Sequence, residues 1–228
     1  LRALVLWVEP DHSTATLYAR PGGERMRQLI AATAMIEFEL GESGLCSRIK
    51  LHSVDQRMAG EYAMIRAVER RLIELDRVGG RLVTFGGAHD LSLIRLGALR
   101  HRHFPLGGAA AWLRDIRDAH DDVSEMMDPT GKARAQVGDF LSGLCGGRPA
   151  TDKQAGPRRR ERVIAEFEAV RTLIAYLYLL SEQQQGIEPL AAGVMAIADM
   201  IWGRFGSLQH LLPMLDTELF ETFAPVPF

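Results

Sequence analysis

The stretch Leu82 to Leu96, LVTFGGAHDLSLIRL, carries the residue best placed for chemistry. It runs a short apolar strand through a glycine turn into a helix, and Asp90 stands at the turn. Gly86 and Gly87 free the backbone there, and a carboxylate just past a strand end is where an α/β domain presents chemistry to a cleft. Two further carboxylates occupy comparable places. Glu9 ends the apolar run Ala3 to Val8, directly before Pro10, and is a strand-end carboxylate. Glu168 borders the apolar stripe of a long helix. At about 100° per residue it shares a side with Ile164, so it can reach a cleft while the helix stays docked.

The elements that must position these residues follow from hydrophobic period. Ala3 to Val8 reads as a strand buried on both faces. Met35 to Leu40 and Arg48 to Val54 alternate apolar and polar residues around turn chemistry at Gly41 to Gly44, which makes a hairpin. With the first strand they give a three-stranded antiparallel start to a sheet. The connection from Asp11 to Gly23 has room for a short strand at Thr14 to Tyr18. From Asp55, apolar residues Met58, Tyr62, Ile65, Val68, Leu72 and Leu75 recur at helical spacing, with Glu69 beside Val68, until Gly79-Gly80 stops them. Strand Leu82 to Phe85 and helix Leu91 to Arg100 follow. That order implies a right-handed crossover and parallel addition to the sheet.

After Pro105 the pattern is helical, apart from a short strand or turn around Asp121 to Met126. Ala135 to Cys145 reads as a helix ended by Gly146-Gly147, and Thr151 to Pro157 as an exposed loop. Arg159 to Ser181 is a helix with the stripe Val163, Phe167, Val170, Ile174 and Leu177. Leu190 to Phe205 is another, before an apolar tail. The fold class expected is α/β, a mixed sheet flanked by helices, with a main domain over 1–182 and a helical C-terminal part over 183–228 packed on it.

The 228 residues are 47% apolar and 25% charged, enough for a sizeable core, and a net charge of -2 rules out a global basic field for a polyanion. Cys46 and Cys145 lack CxxC spacing and read as small core residues in a reducing compartment. No stretch approaches the ~20 apolar residues of a membrane span. The expectation is a cytoplasmic protein with no membrane partner.

In their order, these features resemble the three motifs of the DEDD superfamily of 3'-5' exonucleases, the DnaQ-like branch of the ribonuclease H-like fold. They are most similar to the predicted exonucleases that resemble the proofreading domain of family B DNA polymerases. The first motif, of the form F-D-I-E-T, reads here Leu6-Trp7-Val8-Glu9-Pro10. The second, F-N-G-R-G-F-D-L-P-V-L, reads Phe85-Gly86-Gly87-Ala88-His89-Asp90-Leu91-Ser92-Leu93-Ile94. The third, Y-C-E-x-D, reads Ile164-Ala165-Glu166-Phe167-Glu168. Arg95 to His101, His120-Asp121-Asp122-Val123, Thr172 and Tyr176 extend the likeness, which covers Ala3 to Leu180.

The resemblance implies attack of water on a 3'-terminal phosphodiester of single-stranded DNA or RNA, assisted by two divalent ions held on carboxylates. It assigns catalysis and metal ligation to Glu9, Asp90 and Glu168. Trp7 stands where the family's first Asp would contact both ions, and Ile164 where a Tyr would orient the water. Gly86 replaces Asn, His89 an aromatic, and Glu168 an Asp. One Mg²⁺ or Mn²⁺ or none is therefore expected rather than two, with Asp11 or Asp122 able to stand in for the missing Asp. Two functions follow: an exonuclease-like protein with weak or altered hydrolysis, and an inactive exonuclease-fold module that binds nucleic acid or a protein.

Each residue also has a plainer role. Asp90 could N-cap its helix, Glu9 could be a strand-end charge and Glu168 a solvated helix residue. Arg158, Arg159, Arg160 and Arg162 are either a solvated run or phosphate contacts. His101 and His103 lack an acidic partner in the local pattern and are not assigned as metal ligands. Trp112 and Trp202 read as core. Leu211, Leu212, Leu215, Phe220 and Phe223 either close the domain's own core or serve a protein partner or homodimer.

Overall fold

The computed structural model describes residues 2–11, 29–41, 45–104, 108–114, 119–131, 134–147 and 157–224. The strand expected at Thr14 to Tyr18, the tip of the first hairpin and the loop at 151–156 lie outside them. Three antiparallel strands, β1 (Arg2–Pro10), β2 (Ile30–Leu40) and β3 (Cys46–Asp55), begin the sheet. β4 (Arg81–Thr84) adds parallel to β1, and β5 (His120–Asp122) parallel to β4. The order is β3-β2-β1-β4-β5, a mixed sheet of ribonuclease H-like topology.

β1 is the hinge of this arrangement because both of its faces are covered. Ala3 and Val5, with Trp7 against them, face one core, while Leu4, Leu6 and Val8 face another. That is why its sequence is an unbroken apolar run instead of an alternation. α1 (Gln56–Arg77), α2 (Ala88–Arg100) and α3 (Ala109–Arg114) cover the second face. α6 (Pro157–Gln184) crosses the first, after α4 (Val123–Met127) and α5 (Arg134–Cys145).

Several elements differ from the sequence expectation. β2 starts at Ile30, five residues before Met35: Ala31, Ala32 and Ala34 are buried residues of a type depleted in strands, and pairing with β1 and β3 places them in the sheet. α1 is broken at Gly60 (φ 70°, ψ 158°), so the helical stripe starts after the kink. Met58, before the kink, is exposed, and Tyr62, just after it, lies off the face on which Ile65, Val68, Leu72 and Leu75 are buried. Asp55 Oδ1 accepts the Met58 N–H at 3.0 Å and secures the entry to the helix.

α6 is not amphipathic in the expected sense. From Ala165 to Leu177 every residue but Arg171 is buried, because α7 (Glu188–Gly203) packs along it and on β3, and α4 and α5 also contact it, so the helix has neighbours beyond the sheet beneath it. Short helices α8 (Phe205–Leu208), α9 (Leu212–Leu215) and α10 (Glu218–Phe223) complete that cover. Leu211, Leu215 and Phe220 lie in the same core as the sheet, with Leu212 and Phe223 packed against it. Phe220→Ala should cost about 3–5 kcal/mol. Urea denaturation followed by both fluorescence and circular dichroism should show one shared transition, and a separate C-terminal transition would contradict the shared core.

Cys46 and Cys145 are buried free thiols, both pushed up to about 12 by burial. Trp112 is core, its indole N–H donating to Leu72 O at 3.1 Å. Trp202 is not: it is 43% exposed and stacks on Phe205 with ring centroids 5.8 Å apart. Among the described residues, no helix is long and apolar enough to cross a membrane.

Candidate carboxylate site

The C-terminal ends of β1, β4 and β5 lie side by side, and each delivers a carboxylate. β4 pairs with β1 only as far as Val5, and after Thr84 the chain turns into α2. Gly87 is the residue before that helix, with φ +59°. A Cβ on Gly87 would stand 2.5 Å from Asp122 Oδ2, so both the backbone angle and the close approach require glycine. α2 begins at Ala88, earlier than expected, which makes Asp90 its third residue and removes the capping role. The Asp90 carboxyl accepts the backbone N–H of Val8 on β1 instead.

Asp90 is 6% exposed, and its carboxyl is pushed up to about 8. Burial is the main cause, and the charges of Glu9 and Asp122 add to it while the Val8 hydrogen bond opposes it. The charges of those two carboxylates therefore reach Asp90. Glu9 is also buried, and its Oε2 accepts the Trp7 indole N–H at 3.1 Å. Trp7 itself leans on Phe85, centroids 6.4 Å apart. Asp122 Oδ1 accepts from Ser124 N (3.0 Å) and Ser124 Oγ (2.9 Å), capping α4. A cleft of about 430 Å³ lined by Phe85, Gly86, His89, Asp122, Ser124 and Val137 opens beside it.

Glu168 stands in a different environment. It is fully buried, and its carboxylate pairs with Arg171 Nε at 3.0 Å, one turn along α6. The charges of this pair act on the Cys145 thiol of α5, so its surroundings are the helical layer. The expectation that position 168 reaches a cleft fails because α6 is enclosed on both sides. Of the two stand-ins for the missing Asp, Asp122 is the one whose charge acts on Asp90. Asp11 is buried where the backbone closes on Leu29, with Asp11 N donating to Leu29 O at 2.8 Å.

Other polar groups hold the frame. Thr84 Oγ1 donates to Gly87 O (3.2 Å) and accepts from His120 Nε2 (2.9 Å), tying β5 to the turn. Burial holds the His120 imidazole below its ordinary value, although nearby Asp122 and Asp121 oppose it. Asp121 takes a bidentate pair from Arg81 (2.8 and 2.7 Å) and the Tyr176 hydroxyl (2.9 Å), which fastens α6 to β5. Burial would raise the Asp121 carboxyl, but these bonds hold it below the usual carboxylate range.

Glu166, inside the third motif, is 1% exposed and takes Ser53 Oγ, Arg162 Nε (2.9 Å) and His210 Nε2 (2.7 Å). Despite burial these donors hold it below its usual range. Arg162 is therefore a buttress, and Arg160 is exposed. The side chains of Arg158 and Arg159 lie outside the described ones. His101 does have an acidic partner, Glu61, at 2.9 Å, invisible in sequence because it comes from α1.

The residues present do not fit the two-ion centre that the resemblance implies. Among the described residues, no three Asp, Glu, His or Cys side chains converge as a metal's ligands. Glu9 is held by the indole, and Glu168 by the guanidinium.

The strand order and directions define the class: an α/β protein of ribonuclease H-like fold. No protein-family model matches this chain, and no curated protein does. Among solved structures it is similar to a family B DNA polymerase from the hyperthermophilic archaeon Pyrobaculum calidifontis, at 13% identity and a TM-score of 0.49. That likeness covers 89% of this chain and 29% of the polymerase chain, less than a third of its length.

Proposed function

We propose that this chain is an exonuclease-like, nucleic-acid-handling module in which two-ion hydrolysis has been lost and binding is what remains. One observation carries the reading: each of the three motif carboxylates is satisfied without a metal. Glu9 takes the Trp7 indole, Glu168 takes Arg171, and Asp90 takes a proton at neutral pH. A guanidinium beside Glu168 and an indole at position 7 supply the positive charge and bulk that ions would otherwise bring. The motif order and the ribonuclease H-like sheet support the nucleic-acid assignment.

The test is nucleotide release from a 3'-labelled single-stranded oligonucleotide with Mg²⁺ or Mn²⁺. Wild type and Asp90→Asn should give the same trace, at the level of buffer. Release that Asp90→Asn abolishes would overturn the proposal. It would favour a second reading, slow hydrolysis, for which the approach of Asp122 to Asp90 is the supporting observation.

A further inference from the structure

A surface on the α1–α2 side combines aromatic rings with cations. Tyr62, 42% exposed, lies with its ring 5.5 Å from His101 and 5.8 Å from His103, centroid to centroid. The Arg66 guanidinium stands 5.9 Å from the same ring centroid, with Nη1 3.4 Å from the phenol oxygen. Beneath them Glu61, only 7% exposed, fixes the group: it accepts Ile30 N at 3.0 Å and also binds Arg100 Nη2 and His101 Nε2. The buried carboxylate is spent on Arg100 and His101. Among the described residues, no carboxylate pairs with Arg66 or the exposed Arg102.

The position also matters. Ile30 begins β2 and pairs with Pro10, so this cluster stands at the same end of the sheet as Glu9, on the opposite face. Glu61 holds His101 in place beside an exposed ring, so little ordering remains to be done on binding. An exposed tyrosine ring, with His101 tilted against it and His103 edge-on, beside guanidinium groups that pair with no carboxylate matches the alternation of bases and phosphates in an unpaired strand. A duplex hides its base faces and offers only phosphates.

We propose that Tyr62 is a stacking platform for a base of single-stranded nucleic acid, with Arg66 and Arg102 contacting the flanking phosphates. This rests on the nucleic-acid reading above and adds the place and mode of binding. The test is fluorescence anisotropy of labelled oligo-dT and oligo-U of about 20 nucleotides, with the matching duplex as competitor. Tyr62→Ala should weaken single-strand binding roughly 5- to 150-fold, the range for losing one stacked base. Tyr62→Phe should restore most of it. Arg66→Gln should reduce the slope of log affinity against log salt by about 0.7.

Trp202→Ala, which removes an exposed ring elsewhere, should change nothing. Wild-type binding that Tyr62→Ala leaves intact, or that Trp202→Ala weakens equally, overturns the platform while leaving nucleic-acid handling standing. Failure of wild type to bind either oligonucleotide overturns both.

Discussion

Asp90→Asn should make the protein more stable than wild type at pH 8 and leave it nearly unchanged near pH 4. The carboxyl is buried and titrates at about 8 in the folded chain, against about 4 when unfolded. Between those values the folded state keeps a proton that the unfolded state has lost. The contribution of Asp90 is thus whole below about pH 4, declines by up to about 1.4 kcal/mol per pH unit, and levels off above about 8. An asparagine can still accept the Val8 N–H and never has to ionise beside Glu9 and Asp122. Its advantage should grow to roughly 2–5 kcal/mol by pH 8. Urea denaturation at intervals from pH 4 to 9 measures this directly. Parallel stability profiles for the two proteins would mean that Asp90 is ionised in the fold.

The second large effect concerns the helical layer. Arg171→Met should cost about 3–5 kcal/mol, because it leaves the Glu168 carboxylate, 1% exposed, without its cation. The cost is that of a buried charge that has lost this cation, so the double variant Arg171→Met with Glu168→Gln should recover most of the loss. A double-mutant cycle by denaturation separates the two cases. If both single variants are mild and additive, the pair contributes little and the carboxylate has other support.

How far the sequence could be read depended on how local the information was. The buried strand Ala3 to Val8, the hairpin partners and the turn at Gly86-Gly87 each announce themselves within ten residues, and strand-helix-strand order then limits the topology. The start of β2 is not legible locally, since the alanines at 31, 32 and 34 enter the sheet by pairing with β1 and β3, neither of which their own sequence shows. The placement of Glu168 was missed for a related reason. An amphipathic wheel gives one buried face, and only the packing of α7 shows that α6 has two. Asp122 and the Glu61–His101 contact required neighbours from distant segments. The segment His120-Asp121-Asp122-Val123 points to Asp122 in the sequence, whereas the φ of +59° at Gly87 and its close approach to that carboxylate appear only in the structure.

The burial of α6 also bears on how the chain acquires its structure. This helix, residues 157–184, packs on β1, β2, β3 and β4, all of which lie in the first 84 positions. Its contacts thus have high sequence separation, the condition that slows folding through loop-closure entropy. During synthesis the sheet is complete long before its cover is made. Until Pro157 to Gln184 emerges, Ala3, Val5, Ala32, Ala34, Ile36 and Phe38 present an apolar face to water. The nascent protein therefore passes through an aggregation-sensitive interval that ends only when residues 157–184 are translated.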